Sequence, residues 1–297
     1  MLLLLTILHP LVDACSVTVL VAGGFTWERT VVYNALAFAL QCPLGFWLDP
    51  HPRFMRSGFA VSIVMTLLGV MACAVGLNGW LPLMSVCVGN ALFHLCAGKF
   101  VLDGIDGKGG PAGLFISTGA LGLFAGMKLA ADCALCCCLC FGVPLAAFGF
   151  WVWLKNGFDV SAPVSLSVRG FAGWLLLGGL FALVVWRSWS GLAAGEMTSS
   201  DGFAFACTGA VVTWAGKVAG GHLGDRFGRW ATAGVSVAGS VALCFLCSPQ
   251  QTVAWLVLLF VAQLATGPVL SLMYERSGRA GGSAFGLNCL ALFTGSL

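Results

Sequence analysis

The chain has 297 residues, of which 59% are hydrophobic and only 8% charged, with a net charge of +3 at pH 7. Soluble globular proteins carry about 25% charged residues, so this chain cannot clothe a water-exposed surface, and its exterior must face a bilayer. The small net charge and the lack of a basic tract exclude a nucleic-acid partner.

A spanning helix needs about 20 mostly apolar residues. Eleven such runs are read, at roughly 3–23, 30–48, 57–77, 80–98, 111–130, 133–154, 171–193, 201–222, 230–248, 251–274 and 280–297. The fold class expected is therefore all-α and polytopic. The first run, MLLLLTILHPLVDACSVTVLVAGG, has no basic lead and is interrupted by His9, Pro10 and Asp13, so it reads as a spanning helix and not a cleaved signal. His9 and Asp13 stand four residues apart on one helical face, and Ser16 continues the stripe. Ionisable groups at bilayer depth are costly and mark function by default. Glu28 and Arg29 read as interfacial anchors. In the fourth run Asn90 and His94 repeat the four-residue spacing. The link after it, LDGIDGKGG (102–110), lacks the G-x-x-x-x-G-K spacing of a phosphate loop, and Asp103 and Asp106 read as solvated carboxylates. Lys128 and Asp132 read as a helix-end pair between the fifth and sixth runs.

The sixth run opens with CALCCCLC (133–140), the densest group among 14 cysteines. No histidine or second cysteine pair accompanies it, so the thiols read as small apolar packing groups. Neither metal nor cofactor is expected. Residues 155–170, KNGFDVSAPVSLSVRG, are polar and read as a linker between a six-helix unit, 1–154, and a second unit of about five helices, 171–297. In the seventh run Arg187 lies between Trp186 and Trp189. It either clamps an anionic solute bidentately or snorkels to the outer interface beside a tryptophan belt. Glu196 and Asp201 fall in the next link and read as solvated. In the tenth run Gly267-Pro268 should free a backbone carbonyl and bend the helix. Glycine recurs inside the helices, as in GLFISTGALGLFAG and TGAVVTWAGKVAGG, where small residues let backbones approach in lipid.

Charge sets the expected orientation. With the N-terminus cytoplasmic, Arg53, Arg56, Lys99, Lys108, Lys155, Arg169, Arg226, Arg229, Arg276 and Arg279 fall in links on that side, and Lys217 is placed near an inner helix end. Only Arg29, Lys128 and Arg187 fall elsewhere. An excess of Lys and Arg favours the cytoplasmic side.

Two polar stretches interrupt this pattern in parallel. GFWLDPHPR (45–53) follows the second run, and GGHLGDRFGRW (220–230) follows the eighth. Gly45, Asp49 and Arg53 align with Gly221, Asp225 and Arg229 at a constant offset, at the same place in each unit. Internal repeats of this kind mark secondary transporters. The pattern resembles the cytoplasmic loop motif of the major facilitator superfamily, G-x-x-x-D-R/K-x-G-R-R/K. The second copy carries Gly221, Asp225, Arg226, Gly228 and Arg229, with Trp230 in place of the last basic residue. The first has Pro50 and Pro52 where Arg and Gly are usual. An Asp at such a helix end can accept hydrogen bonds from a neighbouring helix N-terminus, and the Arg can pair with a nearby acid. Shorter segments are similar to the fosmidomycin-resistance-like branch: LHPLVDACSV in the first run, GNALFHLCAG (89–98) with Leu95 replacing a proline, and WRSWSG (186–191).

This resemblance implies a two-half facilitator fold in which helices one, four, seven and ten line a central cavity, and because family members usually have twelve helices and eleven runs are read, the expectation is a fold without the twelfth. The cavity residues implied are His9, Asp13, Asn90, His94 and Arg187. Asp13 is the preferred proton carrier, because a carboxylate alternating between burial and a nearby positive charge can take up and release a proton, and either histidine can share it. The loop residues Gly45, Asp49, Arg53, Gly221, Asp225, Arg226, Gly228 and Arg229 would close the inner side. The expected function is secondary transport of a small solute by a monomer in the plasma (inner) membrane, with protons as coupling ion, and drug or organic-anion efflux as one form. No motif of a membrane enzyme is present. The alternative is a non-transporting or truncated facilitator-like protein, a sensor or remnant.

Overall fold

The computed structural model describes residues 1–155, 162–199, 202–246 and 251–297. Residues 156–161 of the expected linker, Asp201 and the side chain of Glu196 lie outside the described residues. Eleven helices run through the described residues: α1 (Leu2–Ala22), α2 (Trp27–Leu48), α3 (Pro52–Ala74), α4 (Trp80–Gly104), α5 (Gly109–Ala130), α6 (Asp132–Leu154), α7 (Gly170–Ser199), α8 (Phe203–Phe227), α9 (Arg229–Leu246), α10 (Thr252–Arg276) and α11 (Gly281–Thr294). The first ten are long and apolar enough to cross a membrane, and α11 is a shorter apolar helix. The molecule is an all-α, multi-pass membrane bundle.

The first six helices meet the last five chiefly along two seams, α2 against α11 and α5 against α8. Glycine makes both possible. A Cβ on Gly45 would collide with the Gly282 carbonyl, and one on Gly221 with the Gly109 carbonyl. The links before α5 and α11 share one turn. Asp106 and Gly107 have φ of 52° and 68°, and Gly278 and Arg279 have 74° and 65°. Each left-handed pair stands three residues or fewer before the glycine that opens the next helix. All these links lie at one end of the bundle, the motif end. Linker residues run across it: Val164 N–H donates to the Asp49 carbonyl at 3.1 Å and Ser167 N–H to the Ser277 carbonyl at 3.0 Å.

Three helices are interrupted at depth, where freed backbone groups have no water to bond. In α2 a π-helical turn spans Ala35–Ala39, and Gln41 Nε2 donates to the Ala37 carbonyl at 2.6 Å. In α5 the helix breaks at Thr118, whose hydroxyl donates to the Thr6 carbonyl at 3.0 Å. In α10 the two helical pieces Thr252–Gln263 and Thr266–Arg276 are separated at Leu264 and Ala265, four and three residues before Pro268. Proline deprives the carbonyl four residues back of its donor, so the expected bend is a break. Ser236 of α9 stitches it, donating to the Val261 carbonyl at 2.6 Å and accepting from Ala265 N–H at 3.1 Å.

Several sequence expectations change here. Lys217 is not near the motif end. It stands ten residues before Phe227, about 15 Å along the helix at 1.5 Å per residue. Lys99 is not in a link but fully buried in α4. Lys128 and Asp132 form no ion pair among the described residues, and just after them Cys133 (φ −154°, ψ 89°) takes the chain out of helix at the α5–α6 junction. Cys133, Cys136 and Cys140 are exposed on the bundle exterior, whereas Cys137 and Cys138 are buried as packing groups.

Candidate functional site

The stripes on α1 and α4 meet inside the bundle. His9, Asp13 and His94 are 4%, 5% and 6% exposed, and Asn90 is fully buried. His9 Nδ1 lies 2.7 Å from the Phe115 carbonyl, which the break in α5 leaves without its helical donor. His94 Nδ1 lies 2.9 Å from the Asn90 carbonyl. Carbonyl oxygens only accept, so both Nδ1 atoms carry hydrogen, a tautomer assigned from this network. The two Nε2 atoms then face each other at 2.7 Å. Two lone pairs would repel at that distance and two N–H groups would clash. One proton therefore lies between the rings, and the pair carries one positive charge. Asp13 supplies the compensating negative charge, with Oδ2 3.3 Å from His9 Nε2 and Oδ1 3.4 Å from His94 Nε2. Asn90 Nδ2 fixes the carboxylate by donating to Oδ1 at 2.9 Å. Gly119, just past the α5 break, leaves room for this cluster: a Cβ there would come 2.7 Å from His9 Nε2.

The same three side chains could offer ligand atoms to a metal ion, all within 4.8 Å of one another. Ligands on a tetrahedral ion with bonds of about 2.0–2.1 Å sit further apart than the 2.7 Å between these nitrogens. The spacing fits a shared proton and does not fit an ion.

The cluster forms one wall of a central cavity of about 270 Å³. His9, Asp13, His94 and Arg187 all line it, and Asn90 stands behind Asp13. Arg187 is 5% exposed, and its Nη1 donates to Gln263 Oε1 at 2.9 Å and Thr266 Oγ1 at 3.0 Å. It is thus turned into the cavity, and the snorkelling alternative is excluded. Its neighbours divide: Trp186 donates to Ser240 at 2.9 Å, while Trp189 is exposed. Sequence reasoning missed Lys217, Gln263 and Thr266, which also line the cavity. Lys217 was open to the argument used for Arg187, a lone cation inside an apolar run. The cavity wall also includes Asn34, Leu192 and Ser296, near the ends of helices away from the motif end. The space therefore extends from mid-depth toward the far side.

At the motif end the two repeated loops make matching contacts. Asp49 Oδ1 accepts from Gly282 N–H at 2.8 Å, and Oδ2 from Ser283 N–H at 2.6 Å, at the start of α11. Asp225 Oδ1 accepts from Gly109 N–H at 2.8 Å, and Oδ2 from Gly110 N–H at 2.7 Å, at the start of α5. Each carboxylate caps a helix N-terminus across a seam, where unpaired amides and the helix dipole favour negative charge. The countercharges differ. Asp49 is fully buried and pairs with Lys99 at 2.8 Å, which also reaches Asp103 at 2.9 Å. Asp225 is part-exposed and has Arg229 at 3.8 Å, which bonds Glu275 on α10. Arg53 and Arg226 pair with no acid among the described residues and lie over the rings of Phe54 and Phe227. Gly228, with φ of 102°, turns the chain between α8 and α9. Asp106 and Arg279, 2.9 Å apart and exposed, join the two left-handed turns. Asp103, read from the sequence as solvated, is instead the i,i+4 partner of Lys99, a spacing that could have been noticed; the partnership with Asp49, 50 residues away, could not.

No protein-family model matches the sequence, and no curated protein matches it. Solved structures do match the fold. The E. coli fucose:proton symporter FucP superposes with a TM-score of 0.65 at 14% identity, over 99% of this chain and 88% of that one. A major facilitator superfamily transporter, FucP, in the outward conformation gives 0.57 at 13% identity, over 98% and 89%. A bacterial homologue of the iron transporter ferroportin, outward-facing with soaked iron, gives 0.57 at 17% identity, over 100% and 89%. The chain has the major-facilitator-type fold.

Proposed function

We propose that this chain, built on that fold, is a proton-coupled secondary transporter of a small solute working by alternating access. The carrying observation is the 2.7 Å contact between His9 and His94 with both Nδ1 atoms already committed. Holding α1 against α4 there requires one proton. Its departure sets two lone pairs against each other, and Asp13 loses its countercharge. The contact must then loosen, so proton occupancy is tied to the spacing of two cavity-lining helices. That is the coupling a transporter needs.

Residues 1–154 and 171–297 act as two rocking units joined by the linker 155–170. Asp49 and Asp225, with Gly45, Arg53, Gly221, Arg226, Gly228 and Arg229, close the motif end. The cation distribution supports a cytoplasmic N-terminus and motif end in an inner membrane. The segments resembling the fosmidomycin-resistance-like branch supply His9, Asp13, His94 and Arg187, which favours efflux of a drug or organic anion. Because the central cavity is lined by residues of a single chain, the monomer is the working unit.

Asp13→Asn keeps the shape and removes the charge that balances the shared proton. Proton-linked flux in reconstituted vesicles is expected to vanish while expression and folding persist. Normal proton-linked flux in that variant would sink the coupling role. Absence of any solute movement across a broad panel would favour a non-transporting protein.

A further inference from the structure

The wall facing the proton cluster is built for the opposite charge. We propose that Arg187 and Lys217 form a subsite for the anionic group of the transported solute, which is a small organic anion with a compact apolar body. The inference rests on the transport reading above and names its substrate class.

The guanidinium of Arg187 is always ionised, yet its partners, Gln263 and Thr266, are neutral. Its Nε is buried with no hydrogen-bond partner. Lys217 Nζ reaches only the Ile116 carbonyl, at 3.4 Å. Among the described residues no carboxylate pairs with either cation. The one acid lining the cavity, Asp13, is engaged by two histidines and Asn90. Arg187 is a buried charge without a countercharge, which is strongly destabilising, and the half-buried Lys217 on the same cavity wall has none either, so together they call for an anion supplied from outside. The break in α10 is arranged for this. Gln263 and Thr266 flank Leu264 and Ala265, so the interruption brings both side chains onto one face of Arg187 and leaves Nε free. A guanidinium fork with a free N–H suits a carboxylate or phosphate oxygen. A dication would meet repulsion from the same wall.

Much of the remaining lining is apolar, including Phe38, Leu123, Phe285 and Leu292, with Asn34, Ser188, Asn288 and Ser296 as its polar points. The cavity of about 270 Å³ holds the volume of about nine waters at ~30 Å³ each. A one-ring carboxylate fits that space.

The test is equilibrium binding of radiolabelled benzoate to the full chain in lipid nanodiscs, with no gradient. Phenylacetate and phenyl phosphate are expected to displace it, and benzylamine and benzyl alcohol are not. Arg187→Gln and Lys217→Gln are each expected to weaken benzoate binding at least ten-fold, and Arg187→Lys less than Arg187→Gln. Should Arg187→Gln fail to fold, Lys217→Gln decides, since Lys217 is only half-buried. Unchanged binding in the folded charge-removed variants overturns the proposal, as does benzylamine competing as well as phenylacetate, or no benzoate binding at millimolar concentration. Because no gradient is present, anion binding without proton-linked flux sinks the coupling reading alone. Proton-linked flux of a cation without anion binding sinks this one alone.

Discussion

Asp49 and Asp225 occupy equivalent positions and perform the same capping contact, yet their surroundings give them different weights. Asp49 lies in a dry site with the Lys99 ammonium against it. Removing one partner of a buried ion pair leaves the other uncompensated, at a cost of about 3–5 kcal/mol. Asp225 is part-exposed, and solvent can replace some of what it supplies. Asp49→Asn is therefore expected to lower the thermal unfolding midpoint in detergent by several degrees more than Asp225→Asn. Equal shifts would show that burial does not distinguish the two. At this scale the sequence was readable wherever partners share a helix. His9 with Asp13 and Asn90 with His94 stand out as i,i+4 pairs in apolar runs. Lys217 was misplaced because the depth of a lone cation depends on where its helix ends, and helix ends are the least certain feature of an apolar run.

Among the elements, three helices break at depth, and each break is matched by a side chain that takes up a freed backbone group. Two of these breaks carry a proline. Pro268 announced the interruption in α10, and Pro43, four residues past Ala39 at the end of the π turn, marks the one in α2, whereas Thr118 in α5 has no comparable marker. The cause in α5 is tertiary, His9 of α1 offering the Phe115 carbonyl an alternative partner, whereas in α2 Gln41 serves the Ala37 carbonyl of its own helix. Ser236→Ala tests this economy of bonds. It strips Ala265 N–H of its partner, while the Val261 carbonyl keeps Leu264 N–H at 3.2 Å, and an unsatisfied buried group costs about 1–3 kcal/mol. Loss of thermal stability is expected, along with weaker solute binding, because Gln263 and Thr266 flank the same break. A variant with normal stability and normal affinity would show that another group satisfies α10.

At the scale of the whole molecule, the eleven helices and their order were legible because hydrocarbon demands long apolar runs, and no other constraint imitates them. The seams were not, since α2–α11 and α5–α8 join residues far apart in sequence through glycine contacts that carry no periodic pattern. With both seams closed at the motif end and the cavity extending toward the other, the two membrane faces are inequivalent. Cys289 lines that cavity. A membrane-impermeant methanethiosulfonate reagent is expected to modify Cys289 from the far side and not from the motif side, as read by mass spectrometry of the labelled peptide. Equal labelling from both sides would contradict the closed seams.

One residue joins these scales. The Asp49 side chain binds Gly282, Ser283 and Lys99, while its own carbonyl holds Val164 of the linker. Letting go of Lys99 or of the α11 amides without the other leaves the carboxylate short of partners in a dry pocket, so partial release is worse than either extreme. Departure from this arrangement should then be an all-or-none event with a steep activation enthalpy, beginning at the wetter Asp225 latch and finishing here.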